Sequence, residues 1–376
     1  KILINEHQSL FLDQLDDLIL KVEIFGYHFA TLDIRQDSRI HSYVFNKIIK
    51  KIKPTEFNNY TRSNYIEKSK FLSSIHGDFK PSFFSDELVS STLGSIRAMQ
   101  KIQKSNGESG CHRYIISNNQ TAINILEVFT MFKISGWKKN TFDIIPLFET
   151  ISDLDIAVEI MDKIYSNDAY REHLSFRNNE QTIMLGFSDG TKDGGYLTAN
   201  WKILTAKEKL TRVSRKHKIK VKFFDGRGGP PARGGGNTHQ FYSSLGNIIE
   251  SDDIQVTIQG QTISSNFGTL DSCKYNLEQL ISSAVKNKIN NQSDTFSKEN
   301  RKVIEQLSTI SHKAYQEFKN HPSFLGYLEN MTTIKYYAKT NIGSRPSKRS
   351  SDDSKFDFDS LRAIPFVGSW AQLKQN

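Results

Sequence analysis

IKVKFFDGRGGPPARGGG, residues 219–236, sets the terms on which this 376-residue chain is read. Its first six residues are an apolar, β-branched run that predicts a strand. From Phe224 to Gly236 it concentrates six glycines, two prolines and two arginines in 13 residues. Glycine loses more conformational freedom on folding than any other residue, so such clustering costs stability. It is tolerated where backbone must come close to a ligand, and two permanently charged arginines make an anion the natural one. A strand running into such a loop admits two parallel-sheet architectures. An open dinucleotide-binding sheet calls for G-x-G-x-x-G, and Gly226-Arg227-Gly228-Gly229-Pro230-Pro231 fails that pattern at its last position. No Walker loop occurs anywhere. A βα-barrel is the preferred reading.

The same alternation extends on both sides. Upstream, residues 1–24 carry Leu10, Phe11, Leu15, Leu18 and Ile19 at helical spacing, and the run HFATLDI that follows Gly26 reads as a strand ending at Arg35. Helices are predicted over 37–53 and 84–103, a strand over 113–117 and a helix over 120–134. FDIIPLF predicts a strand that ends at Glu149, and Ser152 is the expected cap of the helix after it. IMLGF (183–187) is expected to lead into a polar turn, SDGTKDGG, and then a helix over 196–217. QVTIQ (255–259) is a further strand, with helices over 270–288 and 297–319. Residues 340–359 are polar and expected to be mobile, and a short apolar stretch, LRAIPFVGSW, follows. No internal repeat is visible.

Arg35, Glu149, Asp189, Asp225 with Arg227, and Gln259 each fall at or just past the C-terminal end of a predicted strand. In a βα-barrel those ends converge on one face, where the active site lies. The expected fold is therefore α/β: a TIM-like (βα)8 barrel, here incomplete, with many additional α-helices. The opening Lys1 and amphipathic start lead us to expect an internal segment of a longer chain, with residues 1–376 all belonging to a catalytic barrel.

Composition narrows the classes. A hydrophobic content of 37% with 25 Phe supports a real core and argues against disorder. No apolar run reaches bilayer length, so no membrane partner and a cytoplasmic location are expected. Cys111 and Cys273 are too few and too far apart for a disulfide framework or a zinc knuckle. The net charge of +9 is spread over lysine-rich helical surfaces and says little about function.

The strand-end residues carry the candidate chemistry. Glu149 and Asp189 are acids at the tips of apolar strands, read either as ligands for Mg²⁺, which takes a few carboxylates and completes its shell with other oxygens, or as helix caps and salt-bridge partners. Arg35, Arg227, Arg233, Arg345 and Arg362 are anion-binding candidates, since arginine grips phosphate or carboxylate bidentately. Arg227, between glycines at a strand end, is the hardest of these to read as an ordinary surface residue. Lys192 either orients an anion or pairs with Asp189 or Asp193. The ten histidines show no metal-ligand spacing, and Ser188 lacks a nucleophile-elbow context. A second class is an Arg-Gly-Gly RNA-binding box, but only two arginines occur and no aromatic RNA-binding pattern accompanies them.

Taken in order, LDIRQDS (32–38), PLFET (146–150), GFSDGTKD (186–193), FDGRGGPPARGGG, VTIQGQTI (256–263), GSRPSKR (343–349) and SLRAIPF (360–366) resemble phosphoenolpyruvate carboxylases. The resemblance implies carboxylation of phosphoenolpyruvate by bicarbonate to oxaloacetate and phosphate, through carboxyphosphate and the enolate of pyruvate. It implies Glu149 and Asp189 as ligands of Mg²⁺ or Mn²⁺, and Arg35, Arg227, Arg362 and Gln259 as substrate-binding residues. Lys192 is implied in bicarbonate binding, and Arg233 and Arg345 in the carboxylation steps. It also implies a homotetramer for the full-length enzyme and no nucleic-acid partner.

Three departures qualify the resemblance. Asp225 stands where the family usually has histidine. Pro230, Pro231 and Ala232 are expected to stiffen the stretch between the loop arginines. The family's catalytic histidine, in a Thr-Ala-His-Pro-Thr context, is absent from these residues, and so are the C-terminal helices of its inhibitor site. The segment alone is therefore expected to be inactive.

Overall fold

In the computed structural model the described residues are 1–229, 235–246, 248–258, 261–289, 297–337, 358 and 361–373. The expectation of mobility for 340–359 falls, except for Phe358, outside them. The architecture is α/β. Six strands, β1 Asp33–Asp37, β2 Arg113–Ser117, β3 Asp143–Phe148, β4 Glu180–Leu185, β5 Lys220–Gly228 and β6 Ile254–Ile258, follow chain order in one sheet. The pairs β3–β4, β4–β5 and β5–β6 are parallel, with helices in every connection. Strands of such a sheet are covered on both faces, which explains their unbroken apolar runs. Ile144, Ile145, Leu147 and Phe148 of β3, and Ile183, Met184 and Leu185 of β4, are all buried. Among the described residues no helix is long and apolar enough to cross a membrane.

The chain divides into two compact units. The first comprises 1–116, 123–145 and 169–178. Its core stacks Phe132 on Phe142 at 4.0 Å and Phe142 on His173 at 4.8 Å. Buried Glu127 accepts hydrogen bonds from Tyr60 (2.7 Å) and Ser42 (2.8 Å), so the carboxyl is satisfied although burial pushes its pKa up. His41 faces the Tyr114 hydroxyl at 3.0 Å.

The second unit comprises 117–122, 146–168 and 179–376. The helix Tyr196–Lys216 packs on Ile151–Tyr165 and on Lys298–Lys319. Phe324, Leu328, Ile334, Leu361, Phe366 and Val367 form a smaller core of their own, with Phe358 against it.

Several elements differ from expectation, each for a local reason. The predicted helix over 1–24 is two helices, Ile2–Glu6 and Leu12–Phe25, because Gln8, Ser9 and Phe11 take φ values of 50°, 63° and 61°. The first strand begins at Asp33, so Arg35 stands inside it rather than past its end. Thr150, not Ser152, caps the helix Ile151–Tyr165, in a capping box with Asp153. SDGTKDGG is not a turn: Phe187–Gly194 is a short helix, stopped by Gly195 at φ 80°. The strand β5 continues through Gly228, with an irregularity in its pairing to β6 between Asp225 and Gly228. Asp225 and Arg227 therefore belong to the strand.

Candidate active site at the strand ends

Three consecutive strand ends of the second unit meet without gaps, and glycine makes that closeness possible. Phe148 ends β3, and its carbonyl accepts from the Gly186 N–H at 2.9 Å. Glu149 thereby lies against Gly186. A Cβ on Gly186 would stand 2.9 Å from Cγ of Glu149 and 3.1 Å from its Cα. A Cβ on Gly226, in β5, would stand 3.0 Å from the carbonyl oxygen of Leu185 and 3.8 Å from the backbone nitrogen of Phe187. The order across the site is Glu149, then the start of the 187–194 helix, then the Gly226-Arg227 step.

Glu149 is buried, at 6% exposure, and its Oε2 accepts from the Asn118 N–H at 3.3 Å. Its own N–H and that of Thr150 donate to Asp153 Oδ2 at 3.2 and 3.0 Å, which fixes the backbone from which the carboxylate projects. Half-buried Asp189 lies in the first turn of the 187–194 helix, the end where the helix dipole favours negative charge. That helix is held at its far end by Lys298–Lys319. Tyr315 donates to the Lys192 carbonyl (2.7 Å), and Gln316 and Lys319 donate to the Asp193 carbonyl (2.8 Å each). Asp193 in turn accepts from the Ile151 N–H at 3.0 Å.

Among the described residues no three His, Cys, Asp or Glu side chains gather as a metal cage. Two carboxylates on neighbouring strand ends, with no thiolate or imidazole, fit a hard divalent cation that completes its shell with water and substrate oxygens. The lack of a Cβ at Gly186 is what lets the Glu149 side chain stand against that strand end.

Lys192 is buried, at 8% exposure, and its ammonium donates to the carbonyls of Phe358 and Leu361 at 2.7 Å each, 4.5 Å from the Phe358 ring centroid. Since Leu361 precedes Arg362, this lysine brings Arg362 toward the 187–194 helix. Arg227 is 7% exposed. Its guanidinium lies 4.0 Å from the Phe241 ring centroid and donates to the carbonyls of Gly236 (3.3 Å) and Asn237 (3.4 Å). One face of the guanidinium is thus taken by the Phe241 ring. The chain leaves at Gly229 and returns at Gly235 so closely that a Cβ on Gly235 would overlap the Gly229 carbonyl.

Arg35 belongs to the first unit, half-buried in β1. Its neighbour Gln36 donates to Thr92 at 3.0 Å and accepts from Tyr114 at 3.2 Å. Arg233, Arg345 and Gln259 lie outside the described residues. What sequence reasoning missed is the surroundings of Asp225: Lys207 at 2.6 Å and Tyr242 at 2.8 Å. A signal was present, because Lys207 interrupts an apolar stripe of the 196–216 helix, with Ala199, Ile203, Ala206 and Leu210 buried beside it.

The fold and site together define an α/β protein that sets two carboxylates and a buried arginine, Arg227, at the C-terminal ends of neighbouring parallel strands. The sequence profile of the PEPcase family, described as phosphoenolpyruvate carboxylase, matches residues 1–376. Relatives named phosphoenolpyruvate carboxylase include one from Gloeobacter violaceus, 30% identical over 371 residues, covering 96% of this chain and 39% of that protein. Another, from Nitrosomonas europaea, is 33% identical over 388 residues, covering 98% of this chain and 41% of that protein. A third, from Nitrosomonas eutropha, is 32% identical over 383 residues, with 98% and 41% covered. The chain belongs to the phosphoenolpyruvate carboxylase family. It spans about two fifths of the length of these curated relatives.

Proposed function

We propose that this chain supplies the metal- and phosphate-binding face of a phosphoenolpyruvate carboxylase, and that its sheet is part of a (βα)8 barrel. The observation that carries the reading is the contact of three strand ends through Gly186 and Gly226. With it go the buried carboxylate of Glu149, the 187–194 helix that carries Asp189, and Arg227, on adjoining elements. Phosphoryl transfer asks a protein mainly for positioning and charge neutralisation, and these residue types supply both.

In this reading Glu149 and Asp189 hold Mg²⁺ or Mn²⁺, which supplies Lewis-acid neutralisation of phosphoryl and enolate oxygens. Arg227 and Arg362, with Arg35 and Gln259, bind the phosphate and carboxylate of phosphoenolpyruvate. The phosphoryl group passes to bicarbonate, giving carboxyphosphate and the enolate of pyruvate. Carboxyphosphate releases CO₂ and phosphate, and the enolate carbon attacks CO₂ to form oxaloacetate. Lys192 has two of its three N–H donors committed to backbone carbonyls. Its ammonium, held at the 358–361 contact, would serve bicarbonate binding. Arg233 and Arg345 serve the carboxylation steps. The chain narrows to a neck at Gly229 and Gly235, against the Arg227 carbonyl.

The test is direct. The enzyme carrying this sequence is incubated with phosphoenolpyruvate, bicarbonate and Mg²⁺ or Mn²⁺, and oxaloacetate is followed by its reduction with malate dehydrogenase. Oxaloacetate that depends on both substrates and on the metal is expected. Its absence with a folded protein removes the reading.

A further inference from the structure

Asp225 is the one residue of the glycine-rich stretch for which the resemblance offers no role. It is 1% exposed, in β5, two residues before Arg227. Its Oδ2 receives both the Lys207 ammonium (2.6 Å) and the Tyr242 hydroxyl (2.8 Å). Lys207 is equally buried, and its ammonium stands 5.0 Å from the Phe223 ring centroid and 5.6 Å from that of Phe241. Tyr242 follows Phe241, the ring on which Arg227 rests, and the two rings meet edge-on at 5.0 Å. The Asn287 amide donates to the Tyr242 carbonyl at 2.6 Å and fixes that platform from the Leu270–Ile289 helix.

One carboxylate therefore ties the strand that carries Arg227 to the helix that carries its platform. Arg227 itself has only two long polar contacts, and its Nε has no hydrogen-bond partner among the described residues. The platform, more than its own hydrogen bonds, sets where the guanidinium stands. Charge adds a second requirement. A lone buried carboxylate two residues away would draw the guanidinium toward itself and compete with any anionic ligand. With Lys207 against it the pair is neutral overall, and the charge of Arg227 is left for the ligand.

We propose that Lys207 and Tyr242 are positioning residues for Arg227. Lys207 masks the Asp225 carboxylate, and Tyr242 couples that carboxylate to the Phe241 platform, in place of the histidine usual in the family. The proposal rests on the reading of Arg227 as a phosphate-binding residue.

The experiment is steady-state kinetics on the enzyme carrying this sequence, with thermal unfolding recorded for every variant. Lys207→Met is expected to raise KM for phosphoenolpyruvate about tenfold or more, with kcat changed less than about threefold. Lys207→Met combined with Asp225→Asn removes both charges together, so KM is expected to return to within about threefold of the parent. Tyr242→Phe deletes one hydrogen bond without changing charge or shape. It is expected to raise KM about threefold with little change in unfolding temperature. A merely structural role predicts lower unfolding temperatures with an unchanged KM in the folded fraction. That result in Tyr242→Phe overturns the proposal, even where Lys207→Met fails to fold, and so does a folded double variant whose KM stays raised about tenfold or more. Arg227→Gln separates the two levels. An unchanged KM there removes Arg227 from the phosphate site; a raised KM there, with parental values in the positioning variants, removes only the positioning role.

Discussion

The ammonium of Lys192 lies 2.7 Å from the carbonyl oxygen of Leu361, so a residue of the 187–194 helix grips the chain immediately before Arg362. The grip is doubled at Phe358, also 2.7 Å away, and it is buried. Two parts of the sequence about 170 residues apart are thus joined immediately before Arg362.

Lys192→Met keeps a flexible apolar chain on the Phe358 ring and removes both hydrogen bonds. Bonds to a charged donor contribute about 1.5–3 kcal/mol each, and the abandoned carbonyls stay buried. A loss of about 2–4 kcal/mol in the second unit is expected, read by denaturant unfolding. A loss below about 0.5 kcal/mol would show that this grip does not hold the segment.

Glu149→Gln and Asp189→Asn preserve shape and delete one carboxylate charge each. On the proposed function each lowers kcat/KM at least about 100-fold and raises the Mg²⁺ concentration needed for half-maximal rate. Activity at parental metal requirement in either variant removes that residue from the metal shell.

Gly186→Ala tests the closeness of β3 and β4. Gly186 has φ −93°, which any residue accepts, so the effect is purely steric. The new Cβ meets Glu149 at 2.9 Å on Cγ and 3.1 Å on Cα, and the second of these atoms cannot swing away. We expect about 1–3 kcal/mol of destabilisation together with a weaker metal response. Parental stability and parental metal response together would show that the two strand ends stand further apart.

Acid sensitivity is expected in the first unit. Burial lowers the pKa of His173 to about 4 and that of His41 to about 3, against the ordinary 6.5. Both are neutral in the folded state. Their contribution is present above pH 6.5 and is lost as pH falls toward those values, because the unfolded state takes up the proton first. For His173 the full loss is on the order of 3 kcal/mol. Glu127, whose carboxyl burial pushes up, works in the opposite direction. Comparing the parent with His173→Phe between pH 7 and pH 4 isolates the histidine, and a constant difference between them across that range would refute its titration.

Long elements were legible because burial imposes a period on them. The helices over 37–53, 84–103, 196–217, 270–288 and 297–319 stand within a few residues of expectation, and so do the apolar strands β2 and β3. Short elements were not. Phe187–Gly194 contains Gly190 and Gly194, poor helix formers, and is held by Tyr315, Gln316 and Lys319 from far along the chain. Composition reads such a segment as a turn, because what makes it a helix lies outside its own sequence. At the site, Glu149 and Arg227 were legible as charged residues ending apolar runs. Their supports, Gly186 against Glu149 and Phe241 beneath Arg227, depend on three-dimensional neighbours that spacing does not reveal.

The buried pair of Lys207 and Asp225 has a consequence for descent. Removing one member of a buried ion pair leaves an uncompensated charge and costs about 3–5 kcal/mol, whereas replacing both together is often tolerated. A single replacement of Asp225 by a neutral residue would leave an orphaned ammonium beneath Arg227. Positions 207 and 225 are therefore expected to change in step. Among relatives of this chain, an acid at 225 without a base at 207 should be the rare combination.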